Sequence, residues 1–490
     1  MIYNKKYEWE ETELTSLKSI IIIGGGITGL TALYELQKKA RNAGIEAAFT
    51  LVEESPRLGG KIRTIQHGEF TMETGADSIV ARKPGVAAFI EELGLQGRMC
   101  HNDTGKSYLY TAGGLKPIPE ETVFGIPACL DALFRSELVS IKGKITALKD
   151  LFTRNTTFTK DSSAGEFLEA FFGKELVEKQ IAPVLSGVYS GDLHELTLAT
   201  TMPFLVDYKN EYGSIIKGLA AHKPIFLSPE RKKFVSFQNG LSEIIDRLEE
   251  KTAGAEILKG TKAVALKRRG DSYQLALSGG RKLKADVIVL AVPHTTAQSL
   301  LSKASLAHEF HKFKTASLIS IYLGFDLPDT VLPGDGTGFI VPKDSDLLCD
   351  ACTWTSRKWR HTSKNRHLLL RLFYKNTNPE LFAKLNAMDK DALVSAALQD
   401  VAKALGITGT PVAAEVTKWQ DQMPRYDLNH RKTIAALNEK LAVSDPNLIL
   451  AGCSYYGVGI ADCILNGKQT AEKVMARLQH KQQKSGKVSL

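Results

Sequence analysis

The sequence predicts an α/β fold in which a parallel sheet is gathered from separate stretches of the chain, with a mixed-sheet domain and an α-helical domain beside it. Three stretches carry this expectation. In "SIIIIGGGITGL" (19–30) four consecutive isoleucines run into glycines, and in "DVIVLAVPH" (286–294) a second apolar run ends at a proline. In "LILAGCSYYGVGIADCILNG" (448–467) a third runs again into a glycine-rich turn. Strands buried on both faces read as unbroken apolar runs of this kind.

Taken in order, the β-branched residues Ile20–Ile23 form a strand, and the spacing of Leu30, Leu33 and Leu36 predicts a helix directly after it. Gly24, Gly26 and Gly29 occupy the turn between them and match G-x-G-x-x-G. In that pattern the first glycine makes the turn, the second admits a pyrophosphate to the backbone and the third lets helix pack on strand. The helix N-terminus adds unpaired N–H groups for the phosphates. A tight turn without a ligand is the alternative for this motif alone, and later stretches decide between them.

The second strand, in "AAFTLVEESPRLGGK" (47–61), ends at Glu53, 24 positions beyond Gly29, where a carboxylate that hydrogen-bonds an adenosine ribose belongs. Gly59-Gly60-Lys61 then brings a second backbone stretch without side chains across the nucleotide. A nicotinamide dehydrogenase has no need of that second approach, whereas a cofactor extended through the protein does. Residues 257–294 read as alternating strands joined by glycine turns. The turn Gly452–Ile460 would aim a helix starting near Ala461 at a ligand, and a helix N-terminus beside a flavin ring stabilises the charge of its reduced form.

A chain of 490 residues, 43% hydrophobic and 24% charged, has an ordinary globular composition and length for two or three domains. The formal net charge of +9 favours acidic ligands or surfaces; without a nucleic-acid module it does not point to nucleic acid. Six scattered cysteines suit a reducing cytosol better than a disulfide framework. Cys349 and Cys352 form one C-x-x-C in an expected strand with no second pair, and His308 and His311 lack a third ligand, so no metal site is expected. Residues 1–18 lack the apolar core of a signal peptide, and no stretch reaches the roughly 18–20 apolar residues of a membrane span. Leu130, Leu133, Phe134, Leu138, Ile141, Ile145, Leu148 and Phe152 recur at helical spacing among lysines and Arg135. This stripe reads as packed core, with peripheral membrane contact as the alternative. The basic tail from His480 is expected to be disordered.

Together the G-x-G-x-x-G turn, Glu53-x5-Gly59-Gly60, "DVIVLAVP" and "GVGIADCI" resemble, in their order and spacing, the FAD-binding pattern of the amine oxidase and phytoene desaturase clan. Within that clan the chain resembles the protoporphyrinogen oxidases, particularly the soluble Gram-positive type that acts on coproporphyrinogen III. The closer match rests on "GADSIVARKP" (75–84), "APVLSGVYSGD" (182–192), "GTGFIVPKDSDLLCDACTWTSRKW" (336–359), "KWQDQMPRY" (418–426) and the closing segment. Ala76 departs from the proline frequent in relatives, and the residues before Ser19 match nothing in the family.

The resemblance implies a noncovalent FAD. Its first end would lie against Gly24, Gly26, Ile27, Thr28, Gly29, Glu53, Glu54, Arg57, Gly59, Gly60 and Lys61, with the backbone of Val264 beside the adenine. Its flavin end would lie against Gly75, Ala76, Asp77, Ser78, Trp419, Gly452, Val458, Gly459 and Ile460, with Met423 a further candidate and Cys463 a structural thiol. The implied reaction removes six electrons from a porphyrinogen in haem biosynthesis, as three hydride transfers to flavin with O₂ as acceptor and H₂O₂ as product. Each bridging methylene lies between two electron-rich pyrroles, so hydride loss leaves a delocalised cation and acidifies a pyrrole N–H. No catalytic base is then required. A flat macrocycle with a carboxylate rim calls for an aliphatic wall and a few cations. Ser186, Gly187, Val188 and Tyr189 are expected at the wall, and Arg82 and Lys83 at the rim.

The expected layout is a discontinuous, FAD-binding Rossmann-like domain over 17–83, 226–300 and 432–482, an α-helical domain over 92–205, and a mixed-sheet substrate-binding domain over 206–225 and 301–431. The substrate would lie between them. A polyamine oxidase is the nearest rival, disfavoured by the positive charge; a noncatalytic flavoprotein presenting a partner-binding surface is another. Coproporphyrinogen III carries four rim carboxylates and protoporphyrinogen IX two, and the basic balance leans toward four.

Overall fold

The computed structural model describes residues 17–81, 83–103, 106–112, 114–189, 192–227, 234–333, 335–343 and 345–486. Five parallel strands form its central sheet, in the order Glu256–Leu258, Ala47–Val52, Lys18–Ile23, Val287–Leu290 and Leu448–Leu450. Distant parts of the chain therefore pair in register, Ile20 lying between Phe49 and Val287. The isoleucine run is explained by its two faces. Ile20 and Ile22 pack with Leu30, Leu33 and Leu36 of the Ile27–Asn42 helix, whereas Ile21 and Ile23 pack with Tyr273, Leu275 and Leu277 on the other side. The second cover is a three-stranded antiparallel meander, Ala263–Arg269, Ser272–Leu277 and Lys282–Ala285.

A seven-stranded mixed sheet takes Lys314–Pro328, Gly336–Ile340, Ala351–Trp354, His367–Lys375 and Ala413–Arg425 from the expected region. It also takes Lys106–Thr111 and Gly114–Pro117, the former pairing parallel with Gly336–Ile340. This corrects the expectation of helix across 92–205: the aromatic and β-branched "KSYLYT" extends the sheet, and helices begin at Leu130. One face of the sheet, with Ile319, Ile321, Leu370 and Leu372, packs under the Lys390–Leu405 helix. The opposite face carries Tyr322 and Leu369 against Phe70 and Met72, which docks the sheet beside the parallel one.

The helices Phe204–Tyr212 and Ile215–Ala221, expected with the mixed sheet, instead contribute Leu205, Val206, Ile215, Ile216 and Leu219 to the helical core. A buried ion pair explains the attachment. Lys209 Nζ meets Asp150 Oδ1 at 2.9 Å, and the same carboxylate accepts the Ile215 and Ile216 N–H groups at 2.9 and 3.0 Å. Two further expectations change. The Ile460–Gly486 helix continues past His480, because lysine and glutamine propagate a helix readily. Within the 130–152 stripe Leu133 is buried, but Leu130, Phe134, Ile141, Ile145 and Phe152 are exposed. The chain breaks there into the short helices Leu130–Arg135 and Ile141–Ala147, each with its own N-cap, so no single face collects the apolar positions. Among the described residues no helix is long and apolar enough to cross a membrane.

Candidate functional site

Gly24 leaves the Lys18–Ile23 strand at φ +107°, a conformation that only glycine adopts cheaply, and its N–H donates to the Val52 carbonyl at 2.8 Å. Gly29 passes so near the Gly24 carbonyl that a Cβ would overlap it. Gly26 differs from both. Its φ is an ordinary −72°, and a Cβ placed on it would meet nothing within 4 Å. That open space adjoins the N-terminus of the Ile27–Asn42 helix, where no side chain caps the first N–H groups. Ile27 and Thr28 are themselves buried in the first turn. Unpaired donors beside a space that a single methyl group would obstruct fit the diphosphate of a dinucleotide.

The second glycine pair crosses this turn backbone to backbone. Gly59 N–H donates to the Gly25 carbonyl at 2.9 Å, and a Cβ on Gly60 would stand 3.3 Å from Gly26 Cα. Arg57 braces the crossing by donating to the Leu58, Gly60 and Ile62 carbonyls at 3.3, 3.2 and 3.4 Å. Glu53 accepts the Gly25 N–H at 2.7 Å on one carboxylate oxygen and the Ser55 N–H at 2.8 Å on the other. Each oxygen retains acceptor capacity for a ribose hydroxyl. Glu54 turns outward to an exposed ion pair with Lys262, 2.8 Å away. Val264 falls at a register shift in its strand, so it has no partner residue in the ladder, and its side chain is half exposed.

At the other end, Ala76 N–H donates to the Lys61 carbonyl at 3.2 Å. Gly75 lies against that same carbonyl, a Cβ on it would also meet the Trp419 ring at 3.4 Å, and Trp419 Nε1 donates to the Thr74 carbonyl at 2.9 Å. Asp77 accepts from Ser78 Oγ at 2.8 Å and from Lys358 Nζ at 3.0 Å. Burial pushes the Asp77 carboxyl up, but the Lys358 ammonium and the Arg371 guanidinium outweigh it and hold its pKa at about 2. The closing turn lies beside the first one: a Cβ on Gly452 would stand 3.9 Å from Thr28 Oγ1, and Gly452 N–H donates to Asn466 Oδ1 at 2.8 Å. Tyr426 clamps its two ends, its hydroxyl donating to the Cys453 carbonyl at 2.7 Å and accepting the Gly457 N–H at 2.6 Å. Val458 is half exposed, and the Gly459 carbonyl accepts the Cys463 N–H at 2.9 Å as the helix starts at Ile460.

Lys83 reaches across to this helix and pairs with Asp462 at 2.8 Å, still half exposed. Arg82 lies outside the described residues. Ser186, Gly187, Val188 and Tyr189 end the Ala182–Tyr189 helix, and the structure describes their backbone only. Met423 is half-buried in the strand that carries Trp419. Sequence reasoning passed over Lys358, Arg371 and Tyr426. Tyr426 closes the "KWQDQMPRY" block and Lys358 sits in "TWTSRKW", but only folding brings them to the glycine turns.

Two glycine turns on one parallel sheet, with a second backbone crossing at Gly59-Gly60 and a turn at 75–78 at the far end, define a flavoprotein oxidoreductase of the dinucleotide-binding type. The sequence model of the flavin containing amine oxidoreductase family matches residues 27–475, and this chain belongs to that family. Coproporphyrinogen III oxidase of Bacillus subtilis (strain 168) is 33% identical over 466 residues, covering 94% of this chain and 98% of its own length. Coproporphyrinogen III oxidase of Staphylococcus aureus is 29% identical, covering 94% of this chain and all of its own. A crystal structure from Exiguobacterium sp. 255-15, assigned as a protoporphyrinogen oxidase, superimposes with a TM-score of 0.85 at 32% identity, over 95% of this chain and 100% of that one.

Proposed function

We propose that this protein is an FAD-dependent oxidase that converts coproporphyrinogen III to coproporphyrin III in haem biosynthesis, with O₂ as acceptor and H₂O₂ as product. The observation that carries the reading is similarity to the Bacillus subtilis coproporphyrinogen III oxidase over 94% of this chain and 98% of that one. FAD, when bound, supplies the hydride acceptor and the route for electrons to O₂. Loss of six electrons then corresponds to three two-electron oxidations, consuming three O₂ and yielding three H₂O₂.

The residues of this chain hold and orient. Backbone N–H groups at the start of the Ile27–Asn42 helix take the diphosphate, Glu53 takes ribose hydroxyls and the Val264 backbone takes the adenine. Arg371 and Lys358 fix the Gly75–Ser78 turn through hydrogen bonds, which sets where the substrate methylene can approach. The 186–189 segment supplies the wall of the macrocycle pocket, and Arg82 and Lys83 serve its carboxylates. Attachment is noncovalent, through backbone donors, so acid precipitation releases all the yellow colour into the supernatant. The pocket for the macrocycle lies between the sheets and the helices. The protein works in the cytoplasm and touches membranes through the exposed apolar residues between Leu130 and Phe152.

Anaerobic mixing of the flavin-loaded protein with coproporphyrinogen III tests the reading. Bleaching of the flavin spectrum with appearance of a porphyrin Soret band is expected; an unchanged spectrum rejects it. Comparison of kcat/KM for coproporphyrinogen III and protoporphyrinogen IX then tests the substrate, and preference for the two-carboxylate compound overturns the choice.

A further inference from the structure

A cavity of about 670 Å³ opens between the hairpin of Thr64–His67 and Phe70–Glu73, the turn at 238–242 and the segment 360–366. None of the residues expected to hold flavin or macrocycle lines it. Hydrogen bonds between its walls fix its shape. Thr64 N–H donates to Ser242 Oγ at 2.9 Å, and Ser242 N–H returns a bond to Thr64 Oγ1 at 3.0 Å. Glu69 fastens the third wall by accepting Asn365 N–H at 2.9 Å, and Phe70 bridges to Ser363. At the start of the Ser242–Lys251 helix, Leu241 N–H goes to Glu73 at 2.7 Å and Glu243 N–H to the Gly240 carbonyl at 3.2 Å. A ligand here therefore meets side chains, not a helix end.

Those side chains are rich in donors. Among the described residues no carboxylate and no aliphatic, phenyl or indole side chain lines the cavity, whereas Arg360, Lys364 and Arg366 all do. Asp103 engages Arg360 Nε at 2.9 Å and Asp329 engages Arg366 Nη2 at 3.0 Å, so each guanidinium keeps other N–H groups for a ligand. Lys364 is exposed and pairs with no carboxylate among the described residues. Gln66 accepts the Thr71 hydroxyl at 3.0 Å on its carbonyl oxygen and keeps its NH₂ donors. His361 adds a neutral donor. Burial pulls its imidazole down to about 4, so the ring carries one proton at pH 7. Its Nδ1 is buried without a partner. An orphaned buried N–H costs more than an orphaned lone pair, which puts the proton on Nε2, the ring nitrogen that is not buried.

We propose that this cavity binds a small, multiply charged oxyanion of the phosphate-ester or polycarboxylate class, held by Lys364, Arg360 and Arg366 with His361 Nε2 as a neutral donor. Cations and N–H donors without a competing carboxylate match a ligand that only accepts hydrogen bonds, and the guanidinium forks suit paired oxygens. A tetrapyrrole does not fit, because its flat body needs the apolar wall that this cavity lacks. The site joins the hairpin that leads to the 75–78 turn with the mixed-sheet segment 360–366, so a bound anion would tie the two together. Binding here stands independently of the oxidation proposed above, and either can fail without the other.

The test uses the flavin-loaded full chain, so that the diphosphate cradle is already filled. Pyrophosphate and citrate are titrated separately by calorimetry at pH 7, with sodium chloride at equal ionic strength as the control. Saturable binding of at least one probe is expected, with none for chloride; tighter pyrophosphate assigns the phosphate-ester class and tighter citrate the polycarboxylate class. Lys364→Ala removes an exposed, unpaired side chain, so it should keep the wild-type thermal midpoint and weaken binding about tenfold through loss of one charge-assisted hydrogen bond. On unaltered protein the bound probe should slow acetylation of Lys364 but not of Lys142, an exposed lysine of the helical region, as read by peptide mass spectrometry. No saturable binding of either probe, binding unchanged in Lys364→Ala, or acetylation of Lys364 at the same rate with and without the probe overturns the proposal. The acetylation map decides even if the variant fails to fold.

Discussion

Arg371, on the seven-stranded sheet, donates from its guanidinium to the Gly75 carbonyl oxygen at 2.8 Å and from Nε to Ser320 Oγ at 2.8 Å. This buried fork ties the mixed sheet to the turn at the flavin end of the cradle. Its plane lies over the Tyr322 and Phe373 rings, so the fork is oriented by packing as well as by hydrogen bonds.

Arg371→Met removes both donors and the charge that helps to hold Asp77 ionised, leaving the Gly75 carbonyl and Ser320 Oγ short of partners. A loss of about 3 kcal/mol in denaturant unfolding and a fall in flavin content at constant protein are expected. Arg371→Lys keeps the charge without the fork and should recover only part. Unfolding of Arg371→Met at the wild-type midpoint with full flavin content would show that the turn is held by something else.

Gly26 and Gly29 separate binding from folding. A methyl group on Gly26 enters open space at an ordinary φ, so Gly26→Ala should fold with a thermal midpoint close to wild type and fail to retain flavin. On Gly29 the same methyl group overlaps the Gly24 carbonyl, so Gly29→Ala should lose about 2 kcal/mol or more before any cofactor is considered. Flavin titration and calorimetry of the two flavin-free proteins distinguish these outcomes. Full flavin binding by Gly26→Ala would move the diphosphate elsewhere.

The cradle was legible because its chemistry is backbone chemistry: Gly24, Gly29 and Gly59 stand where a Cβ would overlap a backbone carbonyl, and Gly26, with open space beside it, completes the spacing that a diphosphate needs. The isoleucine run likewise announced a strand covered on both faces. What stayed hidden depends on pairing between distant segments. Nothing local in "KSYLYT" tells that it joins Gly336–Ile340, and nothing local in Lys209 tells that Asp150 waits for it. Periodicity misled at 130–152 because helical spacing persists across breaks in the helix: Ser140 caps a new start, and the apolar positions on its two sides no longer share a face.

Glu73 makes stability depend on pH near neutrality. Its buried carboxyl accepts from Leu241 N–H at 2.7 Å and Thr64 Oγ1 at 2.9 Å, but burial dominates and pushes its pKa from 4.5 to about 7. The folded state therefore holds this proton more tightly than the unfolded chain. The stability it contributes is full below about pH 4.5 and is lost as pH rises through about 7. Glu73→Gln keeps an acceptor for Leu241 and removes the titration. Between pH 5 and pH 8 the wild type should lose on the order of 2 kcal/mol relative to the variant, measured by urea unfolding at each pH. Parallel stability curves would place the Glu73 pKa outside this range.

The exposed apolar run makes the final prediction. Ile141 is 75% and Phe152 84% exposed, with Leu130, Phe134 and Ile145 exposed beside them in sequence. Lys142, Lys149 and Arg154 are exposed in the same run; of its acids, Asp150 is buried with Lys209 and Asp131 is paired with Arg135, while Glu137 is exposed. Exposed apolar side chains interspersed in sequence with cations suit the surface of an anionic bilayer even when they stand on separate short helices, since insertion of the former and attraction of the latter add, each cation contributing about 1 kcal/mol. The protein should bind vesicles containing phosphatidylglycerol, bind neutral phosphatidylcholine vesicles weakly, and release from the former as salt rises. The double variant Ile141→Glu/Phe152→Glu should lower binding at least about tenfold without shifting the thermal midpoint, because neither side chain is packed. Co-sedimentation that is equal for both vesicle types, or unchanged in the double variant, would remove the membrane from the account and leave the run to a protein partner.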